Sequence, residues 1–226
     1  MGSIHQDMLT VQFHCHTRYS PDSLVRPVDL VKTCRRKGID RVVVTDHNVI
    51  HGALEAQSID PELVIMGEEI KTSQGELLAA YVKEYIPPYL TPMETIERLR
   101  DQGAFISVSH PFDSVRNGSW DPDDLRAILP YIDAIEIFNA RCMLAQANQQ
   151  AQEFARQHSL AGTAGADAHT LLELNRAVMS LPGFDDTKSL CLALPHADFE
   201  PRLSSPFIHF TSRWAVWHKS WKKKSI

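Results

Sequence analysis

Residues 9–48 read LTVQFHCHTRYSPDSLVRPVDLVKTCRRKGIDRVVVTDHN, and this stretch decides the fold. Two short apolar segments rich in β-branched residues are predicted as strands, Leu9–His14 and Arg41–Thr45. The segment between them, Pro27–Lys37, is predicted as a helix, because a proline near its start suits a first helical turn. A strand, a helix and a second strand in this order predict parallel strands joined by a right-handed crossover.

Strands and helices continue to alternate along the chain. Further strands are predicted at Glu62–Glu69, Glu76–Val82, Ala104–Ser109, Tyr131–Phe138 and Ser159–Ala164, and further helices at Thr91–Gln102, Pro122–Leu129 and Ala140–His158. This pattern favours an α/β domain built as a barrel or as an open doubly wound sheet. The composition shifts near residues 195–206, so we assign the domain to residues 1–204 and an appended tail to residues 205–226.

The composition is typical of a globular protein of the cytoplasm. Of the 226 residues, 43% are hydrophobic and 23% charged, and no apolar run is long enough to cross a membrane. The start, MGSIHQDM, lacks the basic and apolar regions of a secretory signal, and four scattered cysteines argue against a disulfide framework. Residues 213–226 hold five basic residues and no acid, which leaves 18 basic against 28 acidic residues elsewhere and disfavours nonspecific nucleic-acid binding.

Polar side chains follow the predicted strands. In parallel α/β folds, functional groups gather where the carboxyl ends of the strands meet. The residues found there are His14, Cys15 and His16; Thr45 to Asn48; Gly67 to Glu69; Ser109 to Pro111; Glu136 and Asn139; and Asp167 to His169. Six strands therefore end in residue types that bind metals.

The spacing of His14 and His16 favours a shared cation. Residues i and i+2 of a strand point the same way, so both imidazoles can reach one ion while Cys15 packs on the other face. Asp167 and His169 repeat this spacing. Mixed nitrogen and oxygen ligands suit Zn²⁺, Mn²⁺ or Fe²⁺. Each pair alone also fits solvated or hydrogen-bonded side chains, and only the recurrence at matching strand ends predicts a metal site.

These motifs resemble those of the PHP (polymerase and histidinol phosphatase) family of metal-dependent phosphoesterases. The resemblance covers residues 9–173 in order: HCHTRYSPDS, GIDRVVVTDHNVIHGA, GEEIKT, GELLAAYV, SHPFD, IEIFNAR and GADAH. It implies a distorted (β/α)₇ TIM-like barrel with a metal site at the carboxyl ends of the strands. It also implies hydrolysis of a phosphate ester with two or three divalent metal ions, manganese, zinc or iron.

The resemblance implies a ligand set in three parts. The first metal would be held by His14, His16, Glu69 and Asp167; the second by Glu69, as a bridge, and His110; the third by His47 and His169 with Asp22. The chain departs from the family pattern in two places. Glu76 stands where many relatives have histidine, and either binds metal, favours a harder ion or points away. Asp22 is displaced by one position, and its alternative role is an ordinary surface turn.

Other residues are assigned by position. Asp46 either orients the His47 imidazole or caps the following helix, and His169 or a metal-bound water would protonate the leaving group. Arg18 and Arg141 are predicted to bind substrate phosphate, with a solvated surface charge as the alternative. Glu136 lies in a buried strand and is expected to meet either Arg141 or the surroundings of a metal.

The function predicted is attack of metal-bound hydroxide on a phosphate ester of a small metabolite, a nucleotide or a nucleic-acid end. The alternatives are a metal-dependent amide or lactone hydrolase and an inactive metal-binding module. In the tail, five aromatic residues recur at helical spacing: Phe207, Phe210, Trp214, Trp217 and Trp221. This helix is expected to dock on the domain, with a homodimer contact or an anionic membrane surface as alternatives.

Overall fold

The computed structural model describes residues 8–116 and 118–224, with the backbone alone for 222–224. The predictions for the first seven residues therefore fall outside the described part. One sheet contains nine strands in the order β7-β6-β5-β4-β3-β2-β1-β8-β9. The strands are β1 (Met8–Gln12), β2 (Arg41–Val44), β3 (Val64–Lys71), β4 (Glu76–Ala80), β5 (Phe105–Val108), β6 (Ala134–Asn139), β7 (Ala161–Gly165), β8 (Met179–Pro182) and β9 (Asp198–Phe199).

Seven helices accompany the sheet in the described part of the chain. They are α1 (Pro27–Arg36), α2 (His51–Ile59), α3 (Pro92–Asp101), α4 (Pro122–Ile128), α5 (Ala145–Gln157), α6 (Thr187–Ala193) and α7 (Ile208–Lys224). Proline stands in the first turn of α1, α3 and α4, where its missing N–H costs nothing. The helices predicted at Pro27–Lys37, Thr91–Gln102 and Pro122–Leu129 are confirmed to within one residue at each end. The helix predicted at Ala140–His158 begins five residues later, at Ala145, and α2 and α6 are additional.

The sheet curls into a nearly closed barrel. Strands β1, β2 and β3 are parallel, as are β5, β6 and β7. An isolated parallel bridge between Cys15 and Ala168 joins the segments that follow β1 and β7. The barrel therefore closes at the carboxyl ends of these strands, and the predicted α/β barrel is confirmed.

Strand β4 departs from the parallel arrangement that is predicted for strands joined by helices. It runs antiparallel to both β3 and β5. Only residues 72–75 separate β3 from β4, and a parallel crossover needs about ten residues or more, so the chain must turn back directly. As a result β4 begins, rather than ends, at the carboxyl end of the barrel. Strand β8 is also antiparallel, and it pairs with β1 outside the barrel.

Apolar side chains occupy both faces of the sheet. On β2, Val42 and Val44 belong to a cluster that includes helix residues such as Leu30, while Val43 belongs to a second cluster with Phe13 and Phe105. The alternation follows the pleat of the strand. The second cluster fills the barrel interior beneath the carboxyl end, which leaves that end to polar side chains.

The tail forms α7, which lies against the carboxyl end of the barrel. The Lys219 ammonium donates hydrogen bonds to the backbone carbonyls of Arg18 and Ser20, and Arg141 donates one to Ser212 Oγ at 2.9 Å. The helix contacts the barrel through this face, and its aromatic side chains point outward. No helix among the described residues is both long and apolar enough to cross a bilayer.

Candidate metal centre

Acidic and imidazole side chains from β1 to β7 converge at the carboxyl end of the barrel. They lie within these strands or in the residues directly after them: His14, His16, Asp46, His47, Glu69, Glu76, His110, Glu136, Asp167 and His169. All except His47, which is half-buried, are buried. Ionisable groups are rarely buried unless they pair or bind metal, so this concentration marks a candidate cation site.

His14 and His16 lie on an extended segment just beyond β1. The His16 N–H donates to the Ala168 carbonyl at 2.8 Å, and the Ala168 N–H donates to the His14 carbonyl at 3.2 Å. Both imidazoles face the centre, with their Nε2 atoms 3.0 Å apart. Cys15 points to the opposite side and packs in the outer core cluster. The same extended segment therefore closes the barrel through its backbone hydrogen bonds and directs both histidines to the centre through the alternation of its side chains.

A first group of ligand atoms surrounds these two histidines. Glu69 Oε2 lies 3.3 Å from His14 Nε2 and 3.4 Å from His16 Nε2. Asp167 Oδ1 lies 3.2 Å from His16 Nε2 and 3.6 Å from His14 Nε2. Two imidazoles and two carboxylates thus offer four ligand atoms around one point, a number that suits four-coordinate Zn²⁺, while the mixed nitrogen and oxygen donors also suit Mn²⁺ with added water ligands.

A second group forms on the other side of Glu69. Its Oε1 atom lies 3.2 Å from His110 Nε2, which in turn lies 3.5 Å from Glu76 Oε2. Burial, and then the charge of Glu69, raise the pKa of Glu76, and a cation between the two carboxylates would relieve their repulsion. Of the three alternatives for Glu76, the geometry fits a ligand, because its carboxylate points into the centre. It reaches this position because β4 is antiparallel.

A third group lies nearer the surface. Ligand atoms of His16, His47 and His169 come within 4.8 Å of one another. Asp22 Oδ2 lies 2.9 Å from His169 Nε2, and its Oδ1 lies 3.8 Å from His47 Nε2. The displaced Asp22 is therefore brought to the two histidines that the family resemblance assigns to it.

The donor atoms fit divalent cations. Three of them, Glu69 Oε2, Asp22 Oδ1 and His169 Nε2, are buried and form no well-aligned hydrogen bond among the described residues, although His47 Nδ1 lies 2.9 Å from Glu69 Oε2 and Asp22 Oδ2 lies 2.9 Å from His169 Nε2. Burial would raise the pKa of Glu69, but the imidazoles of His14 and His47 outweigh it and hold that pKa well below its usual range. Ionised carboxylates that lack donors are the groups that a cation satisfies.

Glu136 contacts the candidate ligand His14 on the side of the ring away from the centre. Its Oε1 atom lies 3.0 Å from His14 Nδ1, and its Oε2 atom accepts hydrogen bonds at 2.9 Å from the His110 N–H and from Asn139 Nδ2. A proton on Nδ1 leaves Nε2 free to bind metal. Gly165 makes room for this pair, because a Cβ atom there would lie 2.2 Å from Glu136 Oε1. From the sequence, Glu136 is expected to meet either Arg141 or the surroundings of a metal. In the structure it contacts the candidate ligand His14 and not Arg141.

Asp46 supports the loop after β1 rather than the His47 ring. Its Oδ1 atom accepts hydrogen bonds from the Thr17 N–H at 2.6 Å and from Ser20 Oγ at 2.7 Å. Ser20 Oγ lies 3.0 Å from His16 Nδ1, so Asp46 holds His16 indirectly. It does not cap α2 either, since that helix begins after Ile50 without a side-chain cap.

The two predicted phosphate-binding arginines lie in different surroundings. The Arg18 guanidinium is nearly half exposed and pairs with Glu55 at 3.0 Å. Arg141 is buried beside Glu173, with Nε 3.4 Å from a carboxylate oxygen. The Glu173 carboxylate also accepts from the His169 N–H at 3.1 Å, so only Arg141 connects to the centre.

Sequence reasoning does not single out Arg116, which the structure places directly at the centre. Its Nη1 donates to Asp167 Oδ2 at 2.5 Å and its Nε to Asp113 Oδ2 at 2.9 Å. Its Nη2 is buried and has no hydrogen-bond partner among the described residues. Arg116 follows His110 in the loop after β5 and so meets the same positional criterion as Arg18 and Arg141.

The fold is an α/β barrel, and the side chains gathered at its carboxyl end form a candidate metal centre. The PHP domain family matches residues 12–86, and the PHP-associated family matches residues 145–197. The chain is 34% identical to an uncharacterized protein of Methanocaldococcus jannaschii over 145 residues, which are 58% of this chain and 82% of that protein. A second uncharacterized protein of that organism is 34% identical over 172 residues, 75% of this chain and 69% of the relative. The chain belongs to the PHP family.

Solved structures share the fold at low sequence identity. A two-domain protein of Bacteroides vulgatus, described as containing a predicted PHP-like metal-dependent phosphoesterase, has a TM-score of 0.69 at 17% identity, over 87% of this chain and 65% of its own length. PsfC from Pseudomonas syringae has a TM-score of 0.69 at 18% identity, over 94% of this chain and 99% of its own. An amidohydrolase from Chromobacterium violaceum with bound sulfate has a TM-score of 0.59 at 13% identity, over 90% and 96%.

Proposed function

We propose that this chain hydrolyses a phosphate ester with the help of two or three divalent cations, manganese, zinc or iron. The observation that carries the proposal is the sharing of Glu69 by neighbouring ligand groups, with Oε2 facing His14 and His16 and Oε1 facing His110. A carboxylate shared in this way suits adjacent cations. Membership of the PHP family and the phosphoesterase description of the Bacteroides vulgatus structure support the same reaction.

The chain's own residues would hold and orient the reacting groups. When bound, the cations supply a water of lowered pKa and polarise the phosphoryl oxygen. Glu136 keeps His14 Nε2 directed at the centre. His169 Nδ1 lies 2.8 Å from the Asp167 carbonyl oxygen, which leaves Nε2 to bind a cation or to protonate the leaving alkoxide.

The principal alternative is hydrolysis of an amide or lactone. It draws support from the amidohydrolase of Chromobacterium violaceum, which shares the fold. The cationic side chains near the centre favour phosphate, because a guanidinium matches the charge and geometry of phosphate oxygens and a neutral amide does not need it.

Phosphate release from a substrate panel tests the proposal. The purified chain, treated with EDTA and then given Mn²⁺, Zn²⁺ or Fe²⁺, is offered a chromogenic phosphate monoester, 5′-nucleotides, a 5′-phosphorylated oligonucleotide, an aryl amide and a lactone. We expect cation-dependent release of phosphate that falls at least about 100-fold in EDTA, because bound metal contributes several kcal/mol. Turnover of the amide or lactone alone supports the alternative enzyme. Bound metal without any turnover identifies an inactive module.

Arg116 is expected to bind the phosphate group. Its Nη2 is buried without a hydrogen-bond partner among the described residues, its Nη1 contacts Asp167, and a charge-assisted hydrogen bond contributes about 1.5–3 kcal/mol. Arg116→Gln should therefore raise KM and the inhibition constant of inorganic phosphate by roughly 10- to 100-fold, with a smaller change in kcat. Arg116→Lys should restore only part of the phosphate binding, because lysine keeps the positive charge but lacks the planar guanidinium.

The matched control for Arg116 is Arg35→Gln. Arg35 also pairs with a carboxylate, Asp60, at 2.7 Å, but it lies on α1 far from the centre. The metal content of each variant is measured alongside, since Arg116 also contacts Asp167. An unchanged KM and phosphate inhibition constant in a metal-loaded Arg116→Gln protein would show that Arg116 does not bind substrate.

A further inference from the structure

Helix α7 presents an aromatic face to solvent. Phe207, just before the helix, is 76% exposed, and Phe210, Trp214, Trp217 and Trp221 are 65%, 54%, 58% and 62% exposed. The rings lie close to one another, with centroids 6.3 Å apart for Phe207 and Phe210 and 6.0 Å apart for Trp217 and Trp221. Globular proteins rarely leave a large contiguous apolar patch in water, and such patches mark interaction surfaces.

The face that contacts the barrel consists of other residues. Ala215 is buried, and Ile208, Ser212 and Lys219 are half-buried, at spacings of three and four. These side chains hold the helix through the Arg141–Ser212 hydrogen bond and the bonds from Lys219 to the loop after β1. The rings of Phe207, Phe210, Trp214 and Trp217 are therefore not needed to dock α7, and they remain exposed on a fixed helix.

The charge of the tail selects the kind of partner. Besides Lys219, whose ammonium is bonded to the barrel, residues 205–226 contain Arg213 and Lys222 to Lys224 and no acidic residue. A second copy bound through the same face would place two basic helices together, and like charges in contact oppose association. Aromatic residues with basic neighbours instead match an anionic bilayer surface, where the rings lie at the headgroup boundary and the cations meet lipid phosphates.

We infer that the aromatic face of α7 binds the surface of an anionic lipid bilayer, with the helix lying in the plane of the interface. The 17 residues of α7 correspond to about 25 Å of helix, and the aromatic side chains run along this length. Because α7 is held against the carboxyl end of the barrel, the bound protein would keep its metal centre near the lipid surface.

Vesicle co-sedimentation of the full chain tests the inference. The probes are vesicles of phosphatidylcholine alone and of phosphatidylcholine with phosphatidylglycerol, at low and high salt. We compare the natural chain, the triple variant Trp214→Ser/Trp217→Ser/Trp221→Ser and the charge variant Lys222→Gln/Lys223→Gln/Lys224→Gln. The matched control is Tyr85→Ser/Tyr89→Ser/Tyr131→Ser, which removes three exposed aromatic rings from other parts of the surface.

We expect at least tenfold stronger binding to the anionic vesicles, weakened by salt and reduced at least tenfold in both tail variants but not in the tyrosine control. Circular dichroism and metal content confirm that each variant is folded. Absence of binding, equal binding to both vesicle types, or equal binding by the tryptophan variant overturns the inference. A dimer found by light scattering and lost in the tryptophan variant, without lipid binding, assigns the face to a second copy and also overturns it.

Discussion

Replacing Glu69 with Gln is expected to remove most of the bound metal and to lower phosphate release by about 1,000-fold, since bound cations contribute several kcal/mol to such reactions. Glu69 contacts His14, His16, His47 and His110, so its loss affects every ligand group at once. An amide oxygen carries no charge and cannot bridge two cations as a carboxylate does. Elemental analysis and the phosphate-release assay on the same preparation measure both effects.

The adjacent Glu68 supplies a matched control for Glu69. Both carboxylates are fully buried on β3, but successive residues of a strand point to opposite faces, and Glu68 accepts a hydrogen bond from the Ile86 N–H away from the centre. Glu68→Gln should keep its metal and its activity. If Glu69→Gln also keeps both, the ligand assignment fails.

Replacing Glu68 with Gln is expected to stabilise the fold at alkaline pH. Burial raises the pKa of Glu68 to about 8, whereas an unfolded glutamate titrates near its usual value of 4.5. The folded chain thus binds more protons than the unfolded chain between these two values, so the natural chain loses stability as pH rises from about 4.5 to about 8. Gln does not titrate. The free energy of unfolding of the variant should therefore exceed that of the natural chain by an amount that grows across this window to about 5 kcal/mol.

Urea unfolding in EDTA, repeated from pH 4.5 to pH 9, measures this difference. The difference in free energy of unfolding should be small at the acidic end, grow through neutrality and level off above about pH 8. Glu97→Gln, which removes an exposed carboxylate from α3, controls for general charge effects. A difference that stays constant with pH would show that Glu68 does not carry a raised pKa.

Short-range regularities predict much of the centre from the sequence. Alternation along an extended segment predicts that His14 and His16 face the same way, and their Nε2 atoms lie 3.0 Å apart. The strand-end rule brings His47, Glu69, His110, Asp167 and His169 to one place without any knowledge of the strand order. These predictions succeed because the carboxyl ends of all the parallel strands lie at the same end of the barrel.

Contacts that depend on how the strands and loops are arranged in space cannot be predicted from these regularities. The contact of His14 with Glu136 joins the segment after β1 to β6, which is not its neighbour in the sheet, and the sequence leaves two partners open for Glu136. Arg116 satisfies the same positional rule as Arg18, yet only one of the two guanidinium groups turns toward the metal ligands. Side chains in loops have several directions available, and the choice is made by tertiary contacts.

The tail shows that sequence periodicity does not reveal which face of a helix is buried. Its aromatic spacing predicts a helix with one apolar face, and α7 has that face. Burial of an apolar face is the ordinary expectation, and it favours docking through the rings. The helix is docked through Ser212, Ala215 and Lys219, because the loop carbonyls and Arg141 at the carboxyl end of the barrel offer polar partners. The spacing of the aromatic residues predicts that they share one face of the helix. It does not predict whether that face packs on the barrel or is exposed to solvent.

The bridge between Cys15 and Ala168 has a consequence for how the chain folds. It is flanked by His14, His16 and Asp167, so a cation held by these three would fasten positions 14 and 167 of the chain to each other. Closing a loop of that length costs an unfolded chain about 4 kcal/mol of entropy. Metal at this position would act as a reversible cross-link between the first and last strands of the barrel, with part of its binding energy spent on bringing the two ends of the sheet together.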